Sequence, residues 1–194
     1  MILPNLASYR LVLASNSPRR RELLSGLGLT FTTRVIPGID ESYPEGLNGS
    51  SIAVHIASAK AEAYRDTLAE DELLITADTI VYVDGQVFGK PADRASAVAM
   101  LQALSGRTHR VITGVTILTR KIHRTFSVTT EVTFASLTNE EISYYVDQYR
   151  PYDKAGSYGI QEWIGFVGVT GIQGSYFNVM GLPVQRLYQE LKTI

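Results

Sequence analysis

The sequence predicts a mixed α/β fold, because short apolar segments that suit buried strands alternate with longer segments of helical period. Residues 11–14 and 73–77 are nearly continuous apolar runs, as strands covered on both faces require. Between them, residues 51–68 carry apolar side chains at the spacing of one helix face. The chain has 194 residues, of which 45% are hydrophobic. We therefore predict a single domain over residues 1–194, or one core with two lobes.

Composition excludes several classes of protein. Lys and Arg total 18 and Asp and Glu total 19, so there is no broad basic field to attract nucleic acid or a membrane surface. The absence of cysteine excludes disulfides, thiol nucleophiles and cysteine-bound metals. No apolar run reaches the ~18 residues that span a bilayer, and the first residues lack the pattern of a signal peptide. We expect a cytoplasmic protein without a nucleic-acid or membrane partner.

The segment 15–24 is the first candidate for a binding site. Ser17 and Pro18 suit the N-cap and first position of a helix, and three arginines, 19–21, follow them. This is unusual, since the N-terminus of a helix carries partial positive charge and prefers acidic residues. Hydroxyls, free N–H groups and guanidiniums at the end of a strand form an anion receptor, for which phosphate is the best candidate. The alternative is a solvated basic turn.

Local patterns predict the remaining elements. Asp84-Gly85 indicates a tight hairpin, and Thr138 with Glu141 forms the pattern of a capping box. The helix that this box opens is expected to pack Ile142, Tyr145, Val146 and Tyr149 inward. Residues 152–161 and 171–183 show neither helical nor strand periodicity, which indicates that they form either structural corners or the walls of a binding site. The predicted strands are 31–36, 80–83, 86–88, 111–118 and 125–134, and the predicted helices are 18–27, 51–68, 93–104, 139–149 and one that begins near residue 184.

Four further charged residues are candidates for chemistry. Asp78 follows a buried strand, at the edge where α/β sheets bind ligands. Glu41 lies in an acidic loop, where solvation is the alternative, and Lys60 lies beside an apolar helix stripe, where it could instead extend to water. Lys90 ends the hairpin, followed by Pro91 where a phosphate-binding P-loop needs Ser or Thr. We interpret His109 as a residue at the start of a strand and not as a catalyst.

Taken together, these segments resemble the Maf family of nucleoside triphosphate pyrophosphatases. The resemblance covers nearly the whole chain, and the order and spacing of its motifs are far more specific than any single motif. They are Ser15-x-Ser17-Pro18-Arg19-Arg20 with Glu22-Leu23-Leu24, Glu41, Lys60-Ala61, Ala77-Asp78-Thr79, Gly89-Lys90-Pro91, Ser105-Gly106, Asp153-Lys154-Ala155-Gly156-x-Tyr158-Gly159-Ile160-Gln161, Gly174-Ser175-Tyr176 and Gly181-Leu182-Pro183.

The resemblance implies a fold and an activity. The fold is a mixed, elongated sheet flanked by helices, with two lobes around a deep cleft, as in the related inosine triphosphatases. The activity is hydrolysis of a nucleoside triphosphate to the monophosphate and pyrophosphate, with Mg²⁺ or Mn²⁺. The implied base is Asp78, and the residues marking the subfamily that acts on dTTP and UTP, with modified pyrimidine nucleotides as further substrates, are Arg19, Thr79 and Gln161.

The roles of the other site residues are assigned from the positive charges and metal ligands that a triphosphate requires. Ser15, Arg20, Lys60 and Lys90 are expected to bind phosphate, while Arg21 is expected to be solvated. Glu41 is the best candidate for a metal ligand, sharing the ion with Asp78.

Two other functions remain as alternatives at this stage. One is a non-catalytic nucleotide-binding regulator of cell division and septum formation, and the other is a 7-methyl-GTP pyrophosphatase. The presence of carboxylates among the predicted phosphate-binding residues argues against mere binding. The resemblance also includes homodimers among the expected assemblies.

Overall fold

The computed structural model describes residues 2–194. Within this part of the chain, seven α-helices accompany a seven-stranded sheet, which confirms the mixed α/β class. No helix among these residues has both the length and the apolar character needed to cross a membrane. The strands are β1 Arg10–Leu13, β2 Phe31–Thr33, β3 Glu72–Val83, β4 Gln86–Phe88, β5 Thr108–Leu118, β6 His123–Phe134 and β7 Val169–Gln173, and the helices are α1 Pro18–Ser25, α2 Gly49–Glu62, α3 Arg94–Leu104, α4 Asn139–Tyr149, α5 Trp163–Gly168, α6 Tyr176–Met180 and α7 Val184–Leu191.

The sheet mixes parallel and antiparallel pairs. Its strand order is β2-β1-β3-β5-β6-β7, and β4 pairs with β3 outside this path. Strand β1 runs parallel to both β2 and β3, with Leu13 opposite Thr33 on one side and Ile75 on the other. Strands β4 and β7 run antiparallel to β3 and β6 respectively. The consecutive side chains of Leu11, Val12 and Leu13 are all buried, so β1 is covered on both faces, which explains its continuous apolar sequence.

The contacts of the chain divide it into two compact units, each with its own buried core. Unit 1 comprises the residues up to Asp78 together with Thr113–Val128 and Gly181–Ile194, and unit 2 comprises Thr79–Ile112 and Thr129–Met180. A single domain over residues 1–194 stays a prediction. Unit 1 buries Val12, Ala61, Tyr64, Leu68, Leu74 and Leu118 against one another, and unit 2 buries a larger set that includes Leu101, Phe134, Ile142, Tyr145 and Ile164.

Several local predictions are confirmed. Ser17 caps α1, with Pro18 in its first turn, and its hydroxyl accepts the N–H of Arg20. Thr138 and Glu141 form both bonds of the capping box of α4. Asp84 and Gly85 both have positive φ, as a tight antiparallel hairpin turn requires, and the turn joins β3 to β4.

Other boundaries differ from the predictions. Strand β2 ends at Thr33 and not at residue 36, because the N–H of Ile36 and the carbonyl of Arg34 bond the Tyr64 hydroxyl. Helix α2 begins directly after Asn48, whose side chain makes no capping hydrogen bond, and it ends at Glu62, several residues before the predicted end. Helix α1 likewise ends at Ser25, two residues before the predicted end at residue 27.

The irregular segments contain more structure than the sequence predicted. Residues 163–180 include α5, β7 and α6, of which the prediction contained none. Strand β3 continues without a break through Asp78 to Val83, so this aspartate lies within a strand and not at its end. Tyr149, expected to pack inward from α4, is 39% exposed.

Helix α2 lies directly against the sheet of unit 1. A Cβ added at Gly114 of β5 would lie 2.2 Å from the carbonyl oxygen of Ala53, so the backbones of the helix and strand approach more closely than any side chain permits. On β3, the Thr76 hydroxyl donates to the Ala57 carbonyl at 2.6 Å. These two contacts set the position of α2 and hence of the residues on its last turn.

Candidate active site

The predicted cationic segment is held in place by its own hydroxyls and by backbone carbonyls. The Oγ of Ser15, which is buried, accepts the N–H of Ser17 at 3.2 Å. Arg20 donates from Nη1 to the carbonyl of Ala77 at 2.9 Å and from Nε to that of Gly181 at 2.8 Å. Ala77 precedes Asp78, so these bonds hold the guanidinium close to the predicted base.

The charge of Arg20 is balanced by two neighbouring carboxylates. Burial lowers the pKa of this guanidinium, and the adjacent Arg19 lowers it too, whereas Asp78 and Glu41 raise it. Since the ordinary pKa of arginine lies far above neutral pH, Arg20 remains a cation. Arg19 is half-buried and Arg21 is exposed, as the solvated role of Arg21 predicts.

The Lys60 ammonium bridges the two predicted acidic residues. Its Nζ donates to Oδ1 of Asp78 at 2.7 Å and lies 2.9 Å from Oε1 of Glu41. The contact follows from the packing of α2 on β3. Thr76 and Asp78 lie on one side of the strand, and Ala57 and Lys60 lie one turn apart on the helix.

These three side chains differ in their access to water. The side chains of Lys60 and Asp78 are 15% and 13% exposed, whereas that of Glu41, on its loop, is 51% exposed. The Lys60–Asp78 pair is therefore the sheltered part of the cluster, and Glu41 approaches it from the solvent side.

The donor set suits a hard divalent cation that shares its ligands with a substrate. Glu41 and Asp78 direct one oxygen each toward a single point, which the Lys60 ammonium occupies. Residues 2–194 hold no cluster of three or more His, Cys, Asp or Glu side chains placed for a metal. Mg²⁺ is commonly bound by one or two carboxylates, with phosphate oxygens and water completing its shell. The two carboxylates therefore fit Mg²⁺ or Mn²⁺.

The remaining predicted residues lie in unit 2. Thr79 follows Asp78 on β3, so its side chain leaves the opposite face of the strand. Lys90 is exposed, and the carbonyl of the preceding Gly89 accepts the N–H of Gly156 at 3.0 Å.

Gln161 ends a buried turn. Its Oε1 is buried and has no hydrogen-bond partner among residues 2–194. A buried amide oxygen without a partner is costly, so this atom is suited to accept a bond from a ligand.

Comparison with known proteins agrees with the motifs. A model of the family described as "Maf-like protein" matches residues 10–194. The chain belongs to the Maf family. A protein of Phocaeicola vulgatus named dTTP/UTP pyrophosphatase is 61% identical over 100% of both chains. A protein of the same name from Parabacteroides distasonis is 62% identical over 98% of this chain and 99% of its own.

More distant Maf relatives carry the same name. A dTTP/UTP pyrophosphatase of Flavobacterium psychrophilum is 45% identical over 97% of this chain and 96% of its own. A solved structure entitled "Structure of a HAM1 protein from Coxiella burnetii" covers 96% of this chain and 100% of its own, at 15% identity and a TM-score of 0.49. A likeness this weak supports no argument.

Within this Maf protein, unit 1 brings together one part of the predicted site. Its members are Arg20, Lys60, Glu41 and Asp78, with Ser15 and Arg19 at the start of α1. Thr79, Lys90 and Gln161 belong to unit 2.

Sequence reasoning missed a second group in this Maf protein. Tyr145, Lys154 and Glu162 form a network behind the turn that carries Gln161. Lys154 is only 8% exposed, although a lysine is rarely buried unless it is paired. The available signal was the concentration of charged and glycine residues in 152–161, which indicated either a structural corner or a binding wall without identifying the side chains that hold it.

Proposed function

We propose that this Maf protein is a nucleoside triphosphate pyrophosphatase that hydrolyses dTTP and UTP to the monophosphate and pyrophosphate. The observation that carries the proposal is the contact of Asp78 and Glu41 with one ammonium group, that of Lys60. It brings a base, a metal ligand and a cation to one point, as hydrolysis of a polyanion requires. The relatives named dTTP/UTP pyrophosphatase support the choice of substrate.

Cationic groups bind the triphosphate before water attacks it. Arg20 and Lys60 neutralise phosphate oxygens beside Asp78, and Lys90 supplies a third positive charge. The Ser15 oxygen accepts the N–H of Ser17, so its own proton remains available to a phosphate oxygen. Without these groups the negative charge of the substrate would repel both the carboxylates and the electron pair of the attacking oxygen.

Asp78 accepts the proton of the attacking water. The water oxygen bonds to the α-phosphorus, the bond from that phosphorus to the oxygen bridging to the β-phosphorus breaks, and pyrophosphate leaves with the electron pair. Lys60 holds Oδ1 of Asp78 at 2.7 Å, which fixes the direction of the carboxylate. When the Lys60 ammonium turns from these carboxylates to a phosphate oxygen, Glu41 and Asp78 would hold Mg²⁺ or Mn²⁺, which lowers the pKa of a bound water and stabilises charge on phosphate oxygens.

Base selection is assigned to Arg19, Thr79 and Gln161. Thymine and uracil present an imide N–H between two carbonyl oxygens. The unpartnered Oε1 of Gln161 is suited to accept that N–H. Arg19 and the Thr79 hydroxyl donate to the neighbouring carbonyl oxygens. Cytosine presents a lone pair where thymine has the N–H, so it would repel the same oxygen.

Replacing Asp78 tests the proposal directly. The wild-type protein, incubated with dTTP and Mg²⁺, is expected to release pyrophosphate and not inorganic phosphate. Asp78→Asn should lower turnover roughly 10²–10⁴-fold while dTTP still binds. Asp147→Asn is the matched control, because Asp147 is exposed and pairs only with Arg94 among the contacts described. Turnover by Asp78→Asn at the wild-type rate would refute the role of Asp78.

The same assay separates the alternatives. Binding of dTTP without pyrophosphate release would favour a non-catalytic regulator, and faster hydrolysis of 7-methyl-GTP than of dTTP would favour that substrate. The proposal includes a cytoplasmic location, where nucleoside triphosphates are used, and fractionation of cells checks it. Size-exclusion chromatography tests the homodimer.

A further inference from the structure

A buried network holds the turn that leads to Gln161. The Tyr145 hydroxyl donates to one carboxylate oxygen of Glu162 and accepts the N–H of Gly159 at 3.0 Å. The Nζ of Lys154 lies 3.1 Å from the other carboxylate oxygen. Tyr145 is completely buried, so its hydroxyl bonds only protein groups. One phenol therefore joins both sides of the turn, at Gly159 and at Glu162, with Gln161 between them.

The protonation state of the phenol fits this role. Burial and the neighbouring Glu162 carboxylate both raise the pKa of Tyr145 above its ordinary value. Tyr145 therefore keeps its proton throughout the working range of pH, and that proton is available to Glu162. Lys154 supplies the positive charge that offsets the cost of holding the carboxylate away from water.

Close packing at two glycines also restricts the turn. A Cβ at Gly159 would lie 2.8 Å from the Glu162 carboxyl carbon, so only glycine fits beside the network. A Cβ at Gly165 would lie 1.8 Å from the Ile160 carbonyl oxygen, so α5 packs directly on the turn. The backbone on the N-terminal side of Gln161 is thus clamped, and the network clamps it on the other side through Glu162.

We propose that Tyr145 is a positioning residue for base selection, which holds the turn through Glu162 and Gly159 so that the Gln161 oxygen meets the imide N–H of the base. The inference rests on the proposed function. If the turn were loose, Gln161 could withdraw or rotate its amide, and a cytosine base would no longer meet a fixed acceptor. Tyr145 does not touch the substrate and acts only through the position of Gln161.

Tyr145→Phe tests the inference, because it removes the hydroxyl and keeps the ring. We expect the ratio of kcat/KM for dTTP to kcat/KM for dCTP to fall about tenfold, mainly because kcat/KM for dTTP decreases. A defect that only lowered the amount of folded protein would reduce both values equally and leave the ratio unchanged. An unchanged ratio would overturn the inference.

Tyr64→Phe is the matched control. Tyr64 in unit 1 is equally buried, and its hydroxyl also makes two bonds, to the Arg34 carbonyl and the Ile36 N–H. We expect this variant to lose comparable stability with no change in the ratio. A similar fall in the ratio for Tyr64→Phe would overturn the specific role of Tyr145.

Two variants of Glu162 provide a second test. Glu162→Gln keeps an oxygen that accepts the Tyr145 proton, so the ratio should stay within about threefold of wild type, whereas Glu162→Ala should lower it about as much as Tyr145→Phe. Equal ratios for the two Glu162 variants would contradict the inference. If wild type releases no pyrophosphate from dTTP, the proposed function fails and the inference fails with it. If wild type is active and only the ratios are unaffected, the inference alone fails.

Discussion

The Lys60 ammonium occupies the point between two carboxylates where we place a divalent cation, and replacing it gives a quantitative test. In Lys60→Met the side chain keeps a similar length but loses its charge. Asp78, 13% exposed, then loses a partner at 2.7 Å, whereas Glu41, 51% exposed, returns to water at little cost. Breaking a fully buried pair costs about 3–5 kcal/mol and an exposed pair about 0–1 kcal/mol.

The expected loss for Lys60→Met is therefore about 2 kcal/mol in the free energy of unfolding, because Arg20 remains near Asp78 and offsets part of the charge. Mn²⁺ should recover this loss. A ligand at 100 times its dissociation constant stabilises the folded state by about 2.7 kcal/mol. In the wild-type protein the ammonium already neutralises the carboxylates, so Mn²⁺ without nucleotide should stabilise it far less.

Urea denaturation followed by circular dichroism, with and without Mn²⁺, measures both effects. Lys90→Met is the control, because Lys90 is exposed and lies in unit 2. The free energy of unfolding of this variant, and the change in it on adding Mn²⁺, should both match those of the wild-type protein. The reasoning is refuted if Lys60→Met is as stable as wild type, or if Mn²⁺ stabilises both proteins equally.

Two further predictions concern stability. Gly114→Ala should lower the free energy of unfolding by about 3 kcal/mol, since its Cβ would lie 2.2 Å from the Ala53 carbonyl oxygen, whereas Gly171→Ala, with its nearest atom at 3.9 Å, should have little effect in the same urea titration. Burial lowers the pKa of His109 to about 4, so below pH 6.5 the unfolded state binds a proton that the folded state does not. Stability should then fall by about 1.4 kcal/mol per pH unit from pH 6.5 to 4, and urea titrations at pH 7 and 5 should show this fall weakened in His109→Gln.

Features set by a few neighbouring residues could be predicted from the sequence. The cap of α1 at Ser17, the capping box at Thr138 and the hairpin at Asp84 each depend on contacts within four residues, and all three are confirmed. Strand β7 was missed because its sequence, Val-Thr-Gly-Ile-Gln, carries a central glycine and no clear alternation. Within residues 2–194 it pairs only with β6, and that pairing, not its own pattern, makes it a strand.

The candidate site was predicted as a set of residues and not as an arrangement. Family motifs identified Glu41, Lys60 and Asp78. Their contact depends on where the loop 37–48 places Glu41 relative to α2, and no local sequence pattern predicts that position. Tyr145 was predicted correctly as a buried residue of α4. Its hydroxyl bonds to Glu162 and Gly159 join residues 14 and 17 positions away, so periodicity could not reveal them.

The contact of α2 with β5 at Gly114 also determines how the site tolerates change elsewhere. Main chain meets main chain there, so the helix does not rest on side chains that vary in size. Substitutions among the buried residues next to these contacts, such as Ile52 beside Ala53 and Ile56 beside Ala57, can alter the volume of the interior while the main-chain contact with the strand is kept. The distance from Lys60 to Asp78 therefore does not depend on the sizes of the side chains in the hydrophobic core. That core could be redesigned while the ammonium stays in place.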